Sequence, residues 1–218
     1  MLFTRCVKTM ALLMLLPLGW ALSLLPLLLL WPHVEFKFML PALTIWAALH
    51  ILPFPFLLRA IIHKVWFFPG KGEPVLQEML EFMLLGVNEI PNPVQAEKKG
   101  KNIRLRWRCQ DPDWCRPMAL AELSRQYELI LSFDAPTRTV TMRDRVRPVD
   151  FSLCPVKIRT GLWTSPRFYC FVRSGEQHGI SNFEQTAAQD WCFKPQELKS
   201  PVFNTILRNG WNVRFELY

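Results

Sequence analysis

The chain has 218 residues, 26 Lys and Arg against 18 Asp and Glu, a net charge of +8, and half of its residues are hydrophobic. That length allows one ordinary domain beside a membrane anchor. No catalytic, nucleotide-binding or metal-binding motif stands out within it.

The charge is unevenly spread. Residues 1 to 90 carry six Lys/Arg and five Asp/Glu, and residues 91 to 218 carry twenty and thirteen, so +7 of the +8 lies in the second part. A surplus of that size on roughly 130 residues attracts anionic surfaces. For a tethered domain the nearest such surface is the lipid headgroup layer, where each juxtamembrane Lys or Arg contributes roughly 1 kcal/mol.

Met10 to Trp31 is an uncharged run of 22 residues. At about 1.5 Å per residue a helix here spans about 33 Å, close to the hydrocarbon thickness. A second uncharged run, Met39 to Leu58, follows the short link 32–38. Two spans so closely joined are antiparallel, giving a transmembrane hairpin over 1–72 with an interfacial extension after Leu58. Pro17, Pro26, Pro41, Pro53 and Pro55 predict kinks, above all near Pro53 and Pro55. A signal peptide is the competing reading, since Arg5 and Lys8 precede the run. It is disfavoured by the length of the run and by the lack of a small-residue cleavage site.

Arg5 and Lys8 precede the first span and Arg59, Lys64 and Lys71 follow the second, whereas the link holds only Lys37, offset by Glu35. The positive-inside rule then places both termini in the cytoplasm of a bacterial-type inner membrane. Cys109, Cys115, Cys154, Cys170 and Cys192 are odd in number and scattered, as expected of reduced thiols. His50 falls near the middle of the second span. It is expected to bond a carbonyl freed by Pro53 or a partner helix.

Pro74 to Val87 predicts a helix that is apolar around most of its circumference and holds no Lys or Arg, so packing on the hairpin, a protein partner or a second copy of the chain is expected through residues 74–87. Residues 88–101 lack hydrophobic periodicity and read as a polar linker ahead of a domain at 102–218. There the period becomes two: Ile103, Leu105, Trp107 and Cys109 alternate with Arg104, Arg106 and Arg108. Strands are predicted at Tyr127–Phe133 and Thr139–Met142 as a hairpin, then at Val146–Phe151, Val156–Trp163, Arg167–Arg173, Gln189–Phe193 and Trp211–Leu217. Short helices are predicted at Ala119–Arg125 and from Ser200 to Gly210. The expected soluble fold is α+β, an antiparallel sheet with one or two short helices.

Tyr127-Glu128-Leu129, Phe133-Asp134, Thr137 to Asp144, Leu198-Lys199-Ser200-Pro201-Val202 and Gly210-Trp211 together resemble uncharacterised bacterial two-span membrane proteins with a C-terminal α+β domain. The resemblance covers about half the chain and implies no activity.

The most distinctive feature is a pair of arginine ladders, Arg104, Arg106, Arg108 and Arg143, Arg145, Arg147, each at spacing two on one strand face. If the strands share a sheet, a broad guanidinium surface results, suited to anionic headgroups or polyphosphate. The bland alternative is a solvated face kept charged against edge pairing. Nucleic acid fits less well, because no stacking motif surrounds Phe168 and Tyr169. The cysteines with His178 match no common zinc spacing, so neither metal nor cofactor is expected.

These features lead to a non-enzymatic, membrane-tethered scaffold or regulator that contacts anionic lipid or an acidic partner. The rivals are a membrane enzyme acting on a phosphorylated or lipidic substrate, cued by a pocket joining arginines to Asp144 or Asp150, and a subunit of a larger membrane complex.

Overall fold

In the computed structural model, which describes residues 2–33, 35–151, 154, 165–173, 175, 179–181, 183 and 190–217, the chain divides into two units, Met1–Trp66 and Phe67–Tyr218.

The first unit is helical: α1 (Leu2–Leu30), a 3-10 turn at Trp31–His33, α2 (Phe36–Ile51) and α3 (Phe54–Val65). The helical stretches Phe3–His33 and Lys37–Val65 are each long and apolar enough to cross a membrane. The second stretch is broken at Leu52-Pro53. Pro53 and Pro55 have no N–H to return to the carbonyls four residues back, so the helix restarts with Pro53 as the N-cap of α3. The two stretches run antiparallel. Near the start of α1, Arg5 donates to the Val65 carbonyl and the Trp66 indole donates to Thr9 Oγ1 at 3.0 Å, whereas Ser23 faces His50 further along. The interfacial extension expected after Leu58 ends earlier than Phe68: Phe67–Phe68 leave the helix as strand β1 and belong to the second unit.

The second unit holds, in chain order after β1, α4 (Gln77–Leu85), β2 (Val94–Lys99), β3 (Asn102–Trp107), α5 (Pro112–Leu120), β4 (Arg125–Asp134), β5 (Thr139–Pro148), β6 (Ser165–Arg167), α6 (Pro195–Arg208) and β7 (Asn212–Glu216). The sheet order is β1-β7-β5-β4-β3-β2, with β6 pairing β5. The expected antiparallel sheet is in fact mixed, because β7 lies parallel to β5, with Thr139 opposite Asn212 and Met142 opposite Phe215. The chain returns to β7 through α6, and such a crossover brings a strand back in the same direction.

Part of the expected linker, Val94–Lys99, is strand β2, which pairs with β3 from Val94↔Trp107 to Lys99↔Asn102. The tight turn at Gly100, with φ +62°, closes that hairpin, and the Lys98-Lys99 pair hides the alternation of Val94 and Ala96. The helix expected at Ala119–Arg125 lies earlier, over Pro112–Leu120. Asp111 caps it by accepting from the Asp113 N–H at 3.0 Å, and Pro112 occupies the first helical position. The helix expected from Ser200 begins earlier, at Pro195, where a proline again takes the first helical position although Lys194 makes no capping bond, and it runs 14 residues. Val146 does not open a separate strand but continues β5 to Pro148. Of Arg167–Arg173 only Arg167 is in a strand, and Asp190–Phe193 form none. Val156–Trp163 and His178 lie outside the described residues.

One face of the sheet carries the core. Ile103, Leu105, Leu129, Leu131, Val140, Met142, Val213 and Phe215 are fully buried. Against them α6 sets Val202, Phe203 and Ile206, and Phe68 closes on Phe203 and Phe215 at 4.9 and 5.1 Å between ring centroids. Burying each large apolar side chain stabilises by roughly 1.5–3 kcal/mol. α4 buries Leu80 and Leu84 but exposes Met79 and Phe82, beside the exposed N-cap residue Leu76, so one of its apolar faces is uncovered within the second unit.

Candidate functional site

Strand parity decides what the sheet presents on its other face. Register places Arg104 opposite Ile130 and Ile130 opposite Arg143, and in the next row Arg106 opposite Glu128 and Glu128 opposite Arg145. The two ladders therefore share a sheet, with β4 between them. Rather than one continuous guanidinium surface, they form two columns flanking the column Gln126, Glu128, Ile130 and Ser132. Sequence reasoning missed this middle column, although the alternation of Tyr127, Leu129 and Leu131 implied it. Lys99 and Arg214 join the face by the same parity. Seven cations, with Arg104, Arg106, Arg143, Arg145 and Arg147, thus stand among the carboxylates Glu97, Glu128, Asp134 and Glu216.

The cations are not equivalent. Arg147 Nε lies 3.1 Å from Glu128 Oε1, and the Glu128 side chain is only 1% exposed. Arg106 reaches Glu97 at 3.7 Å. Arg143 donates to Ser132 Oγ at 2.7 Å and approaches Glu216 at 3.9 Å. Arg108, past the end of β3, donates to the Val94 carbonyl at 2.8 Å and the Asn88 carbonyl at 3.2 Å, so it ties β2 to the chain before it. A cavity of about 260 Å³ opens over Ile130, lined by Lys99, Asn102, Arg104, Arg143 and Arg145. A second one, of about 420 Å³, is lined by Asn88, Gln95, Arg108, Gln110 and Asp111. In it Arg108 and Asp111 are already committed to a strand tie and a helix cap.

Asp144 does not join the arginines. As the even residue between Arg143 and Arg145 it points to the core, where it accepts from Lys199 Nζ at 2.7 Å, Tyr127 Oη at 2.5 Å and the Tyr169 N–H at 3.0 Å. Lys199 also donates to the Tyr169 carbonyl at 2.6 Å and sits 3.8 Å from the centroid of Phe215. Burial pushes the Lys199 amine below its ordinary value, against the pull of Asp144. Burial, and then the Asp144 charge, pushes the Tyr127 phenol well above its own. Every oxygen of this cluster is occupied from within, so it clasps α6 to the sheet and has no side open to a substrate.

The cysteines differ from the expectation of scattered thiols. Cys115 and Cys154 form a disulfide with Cα atoms 5.8 Å apart. Cys115 lies on the buried side of α5, and Cys154 returns to it from beyond β5. Cys109 is a buried thiol whose pKa desolvation pushes up to about 11.

His50 bonds the carbonyl of Trp46 at 2.7 Å through Nδ1 and faces Ser23 Oγ at 3.1 Å through Nε2. The Trp46 indole donates to the same Ser23 oxygen at 3.0 Å. Nδ1 therefore donates to the Trp46 carbonyl, and Nε2 faces a Ser23 hydroxyl that itself donates to the Trp20 carbonyl at 2.8 Å. The partner-helix expectation is met by Ser23, but the carbonyl is that of Trp46 and not one freed by Pro53. Comparison with known protein families, curated proteins and solved structures finds no match to this chain.

Proposed function

We propose that the chain is a non-enzymatic, membrane-tethered protein whose sheet face, bearing Arg104, Arg106, Arg143, Arg145 and Arg147, holds an anionic lipid surface or an acidic partner. The observation that carries this reading is the surplus of cations on one side of one sheet. Charges fixed on a rigid sheet add their fields over several ångströms. Support for the tether comes from Phe3–His33 and Lys37–Val65. Their flanking bases favour an inner membrane with both termini in the cytoplasm, and Lys37 in the link is offset by Glu35 at 2.5 Å.

The full chain, reconstituted in nanodiscs of neutral lipid, is mixed with vesicles of neutral lipid or with vesicles containing phosphatidylglycerol, at two salt concentrations. Binding is expected to require the anionic lipid and to weaken with salt, because exposed charges are screened within about 10 Å at 0.1 M. Equal binding to both vesicles at both salts overturns the proposal.

The Cys115–Cys154 disulfide favours a second reading of the topology. Disulfides persist in oxidising compartments, which would set the second unit outside the cytoplasm. Labelling of Cys192, the exposed thiol, by a membrane-impermeant maleimide separates the two: protection in intact cells supports the cytoplasmic placement, and labelling supports the inverted one.

A further inference from the structure

The arginine face divides into cations that the fold uses and cations that it leaves over, and the leftover ones converge. Arg106, Arg147 and Arg143 hold Glu97, Glu128 and Ser132. Glu97, although opposite Arg104 in the register, is the carboxylate that Arg106 reaches. Among the described residues Lys99, Arg104 and Arg145 have no carboxylate within ion-pair distance, and all three line the cavity over Ile130, with Arg143 beside them and no acidic residue in the lining. Ile130 forms an apolar floor, only 6% exposed. Asn102 adds an amide to the rim.

Resting on the anion-binding function proposed above, we infer that this cavity is a discrete site for a phosphate monoester or diphosphate group. Its chemistry selects the ligand in three ways. Three uncompensated cations, together with Arg143, call for an anion carrying more than one charge on one compact group, which a carboxylate or a phosphodiester does not supply. Guanidinium groups arriving from β3 and β5 on either side of Ile130 can each present a two-pronged fork to phosphate oxygens, with Lys99 acting as a point charge. At about 260 Å³ the space falls below the roughly 300–1,000 Å³ that encloses a drug-sized molecule. It therefore takes a head group and leaves the remainder of the ligand outside. The same chemistry can be delivered by a phosphomonoester lipid or by a soluble phosphate compound.

The full chain in neutral nanodiscs is titrated calorimetrically with pyrophosphate, as wild type, as Arg104→Gln/Arg145→Gln, and as Arg116→Gln/Arg125→Gln. The last variant removes the same charge from exposed residues off the face. Saturable binding near one equivalent is expected, weakened tenfold or more by the first double substitution and less than twofold by the second. Unchanged thermal melts show that each variant is folded. Equal weakening in both variants, or no saturable binding, overturns the discrete site. A parallel comparison uses vesicles containing phosphatidate or phosphatidylglycerol at matched surface charge. A phosphatidate preference lost in Arg104→Gln/Arg145→Gln supports the site and assigns its ligand to a lipid. Pyrophosphate binding with no such preference supports the site and assigns the ligand to a soluble phosphate. Salt-sensitive vesicle binding without saturable pyrophosphate binding overturns the site alone, and loss of both overturns the broader function with it.

Discussion

Lys199 Nζ lies 2.7 Å from Asp144 Oδ2 with neither side chain more than 1% exposed. It is the deepest ion pair among the described residues and it fastens α6 to the middle of β5. A pair removed from water in this way adds little net stability, but breaking it leaves a charge stranded, at about 3–5 kcal/mol. Lys199→Met is expected to destabilise the second unit by that order, because Asp144 keeps only Tyr127 and the Tyr169 N–H. Lys199→Met with Asp144→Asn is expected to recover a large part of the loss. Chemical denaturation followed by tryptophan fluorescence measures both, and simple additivity of the two single losses would contradict the clasp.

The same cluster makes the stability of the fold depend on pH at the alkaline end. Tyr127 has a raised folded pKa, so the folded state keeps a proton that the unfolded state releases above about pH 10. The stability it contributes is present below that pH and is lost as the pH rises beyond it. Lys199, with its folded pKa lowered, acts in the opposite sense: the unfolded state binds the extra proton up to about pH 10.5, so this group favours the folded state as pH approaches that value. Above it only the Tyr127 effect remains. Of the three tyrosines, Tyr127 is expected to develop phenolate absorbance only as the protein unfolds. Tyr127→Phe should flatten the fall of stability with pH above 10.

How much of this was legible in the sequence depends on whether the signal was local. The arginine ladders and the core positions opposite them follow from strand parity, and parity alone also sends Asp144 to the face opposite Arg143 and Arg145. That placement removes the Asp144 pocket imagined for an enzyme, and it could have been read from the spacing. The partner of Asp144 could not. Lys199 stands 55 residues away, on a helix whose apolar stripe gives no sign that a lysine on it is wholly buried. The parallel pairing of β7 with β5 is equally non-local, because Trp211, Val213 and Phe215 alternate identically in either direction. By contrast, the starts of α5 and α6 were available locally in Asp111-Pro112 and Lys194-Pro195, and were outweighed by the more apolar residues further along.

Backbone crowding between two glycines gives a third prediction. Gly210 has φ +75°, and a Cβ there would meet the Glu73 carbonyl carbon and oxygen at 2.5 Å. At Gly70 a Cβ would meet the Gly210 carbonyl at the same distance. Both obstacles are backbone and cannot swing aside. At Gly210 the left-handed conformation adds strain for any L residue. Gly210→Ala is expected to lower stability by about 1–3 kcal/mol, where Gly86→Ala, with nothing within 4 Å of the added carbon, should be close to neutral. Thermal melts of the two variants side by side check the contrast.

The thiols respond to burial in a fourth. Cys109 is buried and pushed up to about 11, so at pH 8 almost none of it is thiolate, the reactive form. Cys192 is exposed. A maleimide applied to the native protein is expected to label Cys192 and spare Cys109, and to reach Cys115 and Cys154 only after reduction and unfolding. Mass spectrometry of the labelled peptides reads all four, and labelling of Cys115 without reductant would contradict the disulfide.

Glu128 provides the last prediction, because it is the one carboxylate sealed into the centre of the cationic face. Its side chain is 1% exposed, Arg147 lies 3.1 Å from Oε1, and Oε2 accepts no hydrogen bond from the described residues. Glu128→Gln removes one negative charge from between Arg106 and Arg145 and releases Arg147 from its partner. The field above the face strengthens, while the fold loses an ion pair and keeps a buried amide with the same shape. If the face binds anions as proposed, the variant should bind phosphatidylglycerol vesicles more tightly than wild type at low salt, with a steeper loss of binding as salt is added, even though its melting temperature falls. Binding that falls in step with stability would show that Glu128 matters to the fold alone and that the face does not hold the anionic surface.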